Sequence, residues 1–169
     1  MTQLYFMRHG PAVDKSIPLF HDRDSERPLT EDGIKKVTKA AKGLKKVVPE
    51  LGCIFSSSLK RAFETAIIVA QEYGFKKKIE VIKELAPGGS AKMLALAIAE
   101  RKECSSILLV GHEPDLSVMI GFMLGSMNIS IVLKKGAAAR IDMDGLPPEN
   151  TAKLVWLMQP KQLRAAGGK

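Results

Sequence analysis

Residues 4–10 read Leu-Tyr-Phe-Met-Arg-His-Gly, four apolar side chains followed at once by two basic residues and a glycine. An apolar run this short, ending at a turn, predicts a buried strand over residues 3–7. Working outward, the same signal recurs at Gly52–Phe55, Ile79–Ile82 and Ser106–Val110. The stretches between these strands have helical spacing. Thr30, followed by Glu31 and Asp32, has the form of an N-cap with acids in the first turn, and Ile34, Val37, Ala41, Leu44 and Val48 repeat every three or four residues up to Pro49. A second helix is predicted from Leu59 to Tyr73, closed by Gly74, and a third from Ala91 to Lys102 with Ser90 as cap. Glu113, Pro114 and Asp115 open a fourth, with proline where its missing N–H does no harm. The last forty residues read as loops and strands, Ala137–Met143 and Leu154–Met158 around the turn Asp144-Gly145-Leu146-Pro147, with 162–169 a frayed tail. Strand and helix alternating along the chain predict an α/β fold: a single-domain three-layer sandwich, a mainly parallel central sheet with helices on both faces.

A chain of 169 residues fits one domain, and 46% hydrophobic with 26% charged residues is globular composition, which excludes disordered and fibrous classes. The N-terminus lacks the pattern of a signal peptide, and the apolar stretch Leu116–Met127, interrupted by two glycines and two serines, is too short for a membrane helix. The expectation is a soluble cytoplasmic protein with no membrane partner. Cys53 and Cys104 lie far apart in the chain without metal-ligand or CxxC spacing, and both read as buried, reduced thiols. The net charge of +8 is concentrated in lysines at 35–46 and 76–78 with few aromatics nearby. That pattern reads as solvated faces, or else a docking surface for an acidic partner, and no nucleic-acid ligand is expected.

Ligands of open α/β sheets bind beyond the carboxyl ends of the strands. The reactive residues just after each predicted strand are Arg8 and His9, then Ser57 and Arg61, then Glu84, then His112. Two arginines on one edge suit a phosphoryl group, because a guanidinium offers a planar fork of donors, and Arg61 lies near a helix start, whose free N–H groups also favour anions. A neutral imidazole whose other ring nitrogen is fixed by a hydrogen bond is a competent nucleophile. His21, the third histidine, sits in the irregular stretch Pro11–Leu29 and reads as solvated. So long an ordered loop is often functional.

The segments LYFMRHG (4–10), RPLTEDG (27–33), SSLKRAFET (57–65) and VGHEPDL (110–116), in this order, resemble the histidine phosphatase superfamily, which includes the phosphoglycerate mutases. The resemblance implies a phosphoglycerate-mutase-like fold and a histidine phosphatase domain over residues 1–161. It also implies that His9 is the phosphorylated nucleophile, that Arg8, Arg61 and His112 form the rest of the phosphate pocket, and that no metal or cofactor takes part. RPLTEDG and GHEPDL look most like SixA-type phosphohistidine phosphatases, which act on histidine of signalling proteins. Only a few residues separate Glu84 from the helix at Ala91, too few for the lid that would help a mutase retain its intermediate. The expected substrate is therefore a phosphohistidine-bearing protein; the alternative is phosphatase or mutase action on a small phosphorylated metabolite. Glu84 is the expected proton donor, or else a surface residue paired with Lys83. Ser57 either binds phosphate or, the favoured reading, shapes the turn into its helix, and Arg27 either reaches the site or anchors the loop before Pro28.

Overall fold

The structure is a computed structural model and describes every residue except 102, 127, 145–151 and 169. Among the described residues six strands form one sheet: β1 (Thr2–Arg8), β2 (Cys53–Ser56), β3 (Glu80–Val81), β4 (Ser106–Gly111), β5 (Ala138–Met143) and β6 (Lys153–Met158). Their order is β3-β2-β4-β1-β5-β6. β1 runs parallel to β4, β4 to β2 and β2 to β3, whereas β5 is antiparallel to both β1 and β6. The α-helices of the described residues that cover the sheet are α1 (Glu31–Val47), α2 (Lys60–Tyr73), α3 (Ala91–Ala99), α4 (Asp115–Met123) and α5 (Pro160–Ala166).

The alternation of side chains along the central strands divides the core in two. Leu4, Phe6, Ile107 and Leu109 pack with Leu94 and Ile98 of α3 and Leu116 and Met119 of α4. Tyr5, Met7, Leu108 and Val110 pack on the opposite face with Ala40 and Leu44 of α1, Ala66 and Val69 of α2, and Leu163 of α5. Buried on both sides, Leu4–Met7 of β1 and Ile107–Val110 of β4 are apolar, which is why they read as continuous runs in the sequence. Thr30 caps α1 by accepting a hydrogen bond from the Gly33 amide, and Gly74 closes α2 in the left-handed conformation (φ 61°), as expected.

Two expectations fail. Of the expected frayed tail over 162–169, Gln162 to Ala166 instead belong to α5, which is capped reciprocally by Gln159 and Gln162 and lies against α1 with Leu163 fully buried. Helices α1 and α5 approach so closely at Gly43 that a Cβ there would collide with the Leu163 carbonyl. A seven-residue helix with one large apolar anchor has too little periodicity to be visible in sequence. Nor are the cysteines separate reduced thiols. Cys53 opens β2, Cys104 precedes β4, and pairing of those strands brings their Cα atoms to 5.9 Å, with the buried sulfurs joined as a disulfide. Their separation of 51 residues in the chain says nothing about adjacency in a sheet where β2 and β4 are neighbours. The strand predicted over Ile79–Ile82 is shorter, Glu80–Val81, and the helix predicted to reach Lys102 ends at Ala99. Of the turn Asp144-Gly145-Leu146-Pro147, residues 145–147 lie outside the described residues. Among the described residues no helix is long and apolar enough to cross a membrane.

Candidate active site

The carboxyl ends of β1, β2 and β4 converge. The His9 amide donates to the Gly111 carbonyl (3.1 Å) and the Ser57 amide to the Val110 carbonyl (3.0 Å), so the three turns are tied by backbone bonds before any side chain is considered. The Gly136 amide reaches the carbonyls of Arg8 and His9, closing the site from the β5 side. At Gly10 the turn passes directly over α1, where a Cβ would strike Val37, and only glycine leaves room for that approach.

His9 and His112 lie at the bottom, 6% and 3% exposed, with ring centroids 5.0 Å apart. The Nδ1 of His9 is 2.7 Å from the Gly10 carbonyl, an acceptor only, so the proton resides on Nδ1 and Nε2 keeps its lone pair. Into that lone pair Arg61 Nε donates at 3.3 Å. His112 is held the other way round, with Nε2 2.8 Å from the Ser57 hydroxyl and Nδ1 buried without a partner. Burial pushes the His9 pKa down to about 3, with His112, Arg61 and Arg8 adding to the effect and the Gly10 contact opposing it. Burial also lowers His112, to about 4, reinforced by Arg61 and opposed by Asp24. Both rings are therefore neutral near pH 7.

Arg61 is nearly buried in the first turn of α2. Its Nη1 donates to the Asp24 carbonyl (2.8 Å) and its Nη2 to the Asp24 carboxylate (3.0 Å). The backbone of Arg61 is fixed in turn by Thr65, whose hydroxyl donates to the Arg61 carbonyl and accepts from the Gly10 amide, tying α2 to the turn after β1. Arg8 donates through Nη1 to the Leu133 carbonyl (2.9 Å), and its buried Nε has no partner. Burial lowers the pKa of both arginines, opposed at Arg8 by Glu113 and at Arg61 by Asp24, yet a guanidinium stays charged.

Of the residues expected at the site, the structure thus brings together His9, Arg61, Ser57 and His112 by direct contacts and sets Arg8 at the end of β1 beside them. Ser57 shapes the turn: its hydroxyl accepts from the Leu59 amide at the entry to α2, and it also contacts His112 Nε2. Arg27 anchors the loop, donating to the Asp24 carboxylate and the Val13 carbonyl, and touches the site only through Asp24. Glu84 follows β3 with its side chain largely buried. Its ion-pair partner is Lys83 at 3.9 Å, and no hydrogen bond links it to the histidines or arginines. His21 is exposed, as expected. Sequence reasoning missed Asp24 and Thr65. Thr65 has a signal, since it stands one helical turn after Arg61; Asp24 has only its place three residues before Arg27 in the irregular loop. Among the described residues no group of three or more His, Cys, Asp or Glu side chains has a geometry that would hold a metal ion.

The family model of the histidine phosphatase superfamily (branch 1) matches residues 4–93 of this sequence, a span that includes Arg8, His9 and Arg61. The chain belongs to the histidine phosphatase superfamily. Another relative of this superfamily member is an uncharacterized protein of Picosynechococcus sp., 34% identical over 151 residues that make up 82% of this chain and 88% of the relative. Among solved structures, the protein histidine phosphatase SixA complexed with tungstate superposes with a TM-score of 0.81 at 24% identity, covering 96% of this chain and 99% of that one. A mycobacterial glucosyl-3-phosphoglycerate phosphatase in complex with VO3 gives 0.71 at 16% identity, over 92% and 99%. Two solved structures with such different substrates in their names share this histidine phosphatase fold, so the fold alone does not select a substrate.

Proposed function

We propose that the protein is a phosphatase that works through a phosphohistidine intermediate on His9 and removes phosphate from phosphohistidine on a protein. The observation that carries the reading is the state of His9: neutral, with its proton held on Nδ1 by the Gly10 carbonyl and its Nε2 lone pair facing Arg61. In this reading Nε2 attacks phosphorus, the bond to the leaving group breaks, and the bonding pair departs with that group. Arg8 and Arg61 neutralise the equatorial oxygens, and His112 donates from Nδ1, the ring nitrogen left free by the Ser57 contact. Arg61 then exchanges its hydrogen bond to Nε2 for one to the phosphoryl group, which releases the nucleophile as substrate arrives. In the second half, water forms a bond to phosphorus, the pair of the broken P–N bond returns to Nε2, and hydrogen phosphate leaves with one proton passing to solvent.

Two features support a protein-borne phosphoramidate. Only five residues, Ala86–Ser90, separate Leu85 from α3, which leaves no segment there to fold over the pocket. Glu84, the candidate acid, makes no hydrogen bond to the histidines, and a phosphohistidine whose leaving imidazole already carries a proton makes less demand on an acid than an ester does. The test is a panel of kcat/KM values on a phosphohistidine peptide, a phosphoserine peptide and phosphoglycerates, each also with Glu84→Gln. The expected result is that the phosphohistidine peptide is preferred at least about tenfold and that Glu84→Gln slows it little, while slowing esters by about 10²-fold. Faster turnover of a phosphorylated metabolite would replace this reading with the small-molecule alternative. Equal turnover of all substrates in wild type and Glu84→Gln would remove Glu84 from the chemistry.

A further inference from the structure

The pocket that the Proposed function assigns to a phosphoryl group already contains an anion. Asp24, in a short 3-10 turn (Asp24–Glu26) of the loop between β1 and α1, places both its main-chain carbonyl and its carboxylate on the outer edge of the Arg61 fork, at 2.8 and 3.0 Å. Its second carboxylate oxygen is gripped by Arg27 at 2.7 Å, and Arg27 is in turn bonded to the Val13 carbonyl. The loop is stitched at its base by the Ala12–Leu29 bridge and by the Val13 amide on the Pro28 carbonyl, so Asp24 is held rather than merely nearby. Half of the Asp24 side chain remains exposed, whereas that of Arg61 is 6% exposed, which puts the carboxylate at the mouth and the guanidinium behind it.

We infer that Asp24 determines specificity by charge: its carboxylate disfavours free phosphate and ester dianions and favours phosphoryl donors whose leaving atom is a cationic nitrogen. The inference rests on the reading of this pocket as a phosphoryl site. An incoming dianion meets Arg61 with part of its charge already neutralised and meets Asp24 itself as a like charge. An ester makes matters worse on reaction, because its leaving oxygen gains negative charge at the mouth. A protonated nitrogen leaving group begins cationic, ends neutral and is never anionic, so the same carboxylate attracts it on binding and does not oppose its departure. Burial works against the charge on Asp24, but hydrogen bonds from Arg61 and Arg27 hold its carboxyl below the ordinary value, and the carboxylate is ionised throughout the neutral range. Its field reaches the floor of the pocket, where it acts on His112 against burial and Arg61.

The test is Asp24→Asn, which keeps size and a carbonyl acceptor for Arg61 while removing the charge. Three probes are used: inorganic phosphate as inhibitor, phosphoramidate as a small donor with a protonated nitrogen, and 4-nitrophenyl phosphate as an ester. Expected are an inhibition constant for phosphate about tenfold lower than wild type and a ratio of kcat/KM, phosphoramidate over ester, that falls about tenfold. Asp24→Glu, which retains the charge, should stay within about threefold of wild type on both readouts. Circular dichroism and a thermal melt establish that each variant is folded, and Asp24→Ser takes the place of Asp24→Asn should the latter not fold. Phosphate inhibition that is unchanged or weaker overturns the inference, as does an equal loss on both donors, which would make Asp24 only a prop for Arg61. Asp24→Glu behaving like Asp24→Asn also overturns it. The phosphate arm is independent of the natural substrate. A wild type inert toward phosphohistidine peptide, with phosphate binding tightened in Asp24→Asn, would refute the proposed function and leave this inference standing.

Discussion

The turns after β1 and β4 each carry a histidine into the same pocket, and the two are wired in opposite senses. His9 is fixed through Nδ1 by a backbone carbonyl, which leaves a lone pair on Nε2; His112 is fixed through Nε2 by the Ser57 hydroxyl, which leaves Nδ1 unpartnered. A carbonyl accepts only, so it dictates the tautomer of His9 outright. A hydroxyl donates or accepts, so the His112 tautomer follows whatever Nδ1 meets. Identical side chains at equivalent strand ends thus become a candidate nucleophile and a candidate donor through one neighbouring atom each.

The sharpest way to break the comparison is to delete the lone pair. His9→Ala should abolish the covalent intermediate and lower kcat/KM by about 10⁴-fold or more, read as acid-labile phosphate trapped on wild type by an alkaline quench and absent from the variant. Equal labelling of both proteins would show that the wiring of His9 does not mark the nucleophile.

Acidity tests whether both rings are neutral in the empty pocket. With pKa values lowered to about 3 and about 4, His9 and His112 accept protons only below pH 5. The acid limb of kcat/KM, corrected for substrate ionisation, should therefore lie below pH 5, whereas an unperturbed imidazole is only about 3% neutral there. The sign for stability follows: the unfolded histidines bind protons near pH 6.5 and the folded ones do not, so stability contributed by these groups is present above about pH 6.5 and falls as pH drops toward 3. A limb centred near 6.5 would mean that the pocket is wetter than its burial indicates.

The smallest effect belongs to Ser57→Ala, which removes the orienting hydroxyl from His112 while leaving His9 untouched. A loss of about five- to tenfold in kcat/KM is expected, near the value of one hydrogen bond, with undiminished labelling of His9. Loss of labelling would show that the two histidines are not independently wired.

Much of this arrangement is legible in the sequence because strand ends are legible. Arg8, His9, Ser57, Arg61 and His112 follow short apolar runs, and a parallel sheet gathers whatever follows such runs at one edge. What escaped depends on contacts without a local pattern. Asp24 meets Arg61 across 37 residues through an irregular loop, Cys53 meets Cys104 through strand order, and α5 has one buried leucine in place of a periodic stripe. Glu84 is a different case. Its position after β3 was readable, but the direction of its side chain depends on packing of the turn before α3, where its ion-pair partner is Lys83.

The place of β1 in the sheet also has a consequence for biosynthesis. The strand that delivers Arg8 and His9 leaves the ribosome before its neighbours β4 and β5, which end at Gly111 and Met143. A nascent chain that has emerged only through α2 carries both basic residues on a strand with neither partner, its backbone donors open to water or to other chains. The pocket starts from β1 and closes only once β5 has been made, and a chain interrupted before β5 holds His9 beside an unpaired edge.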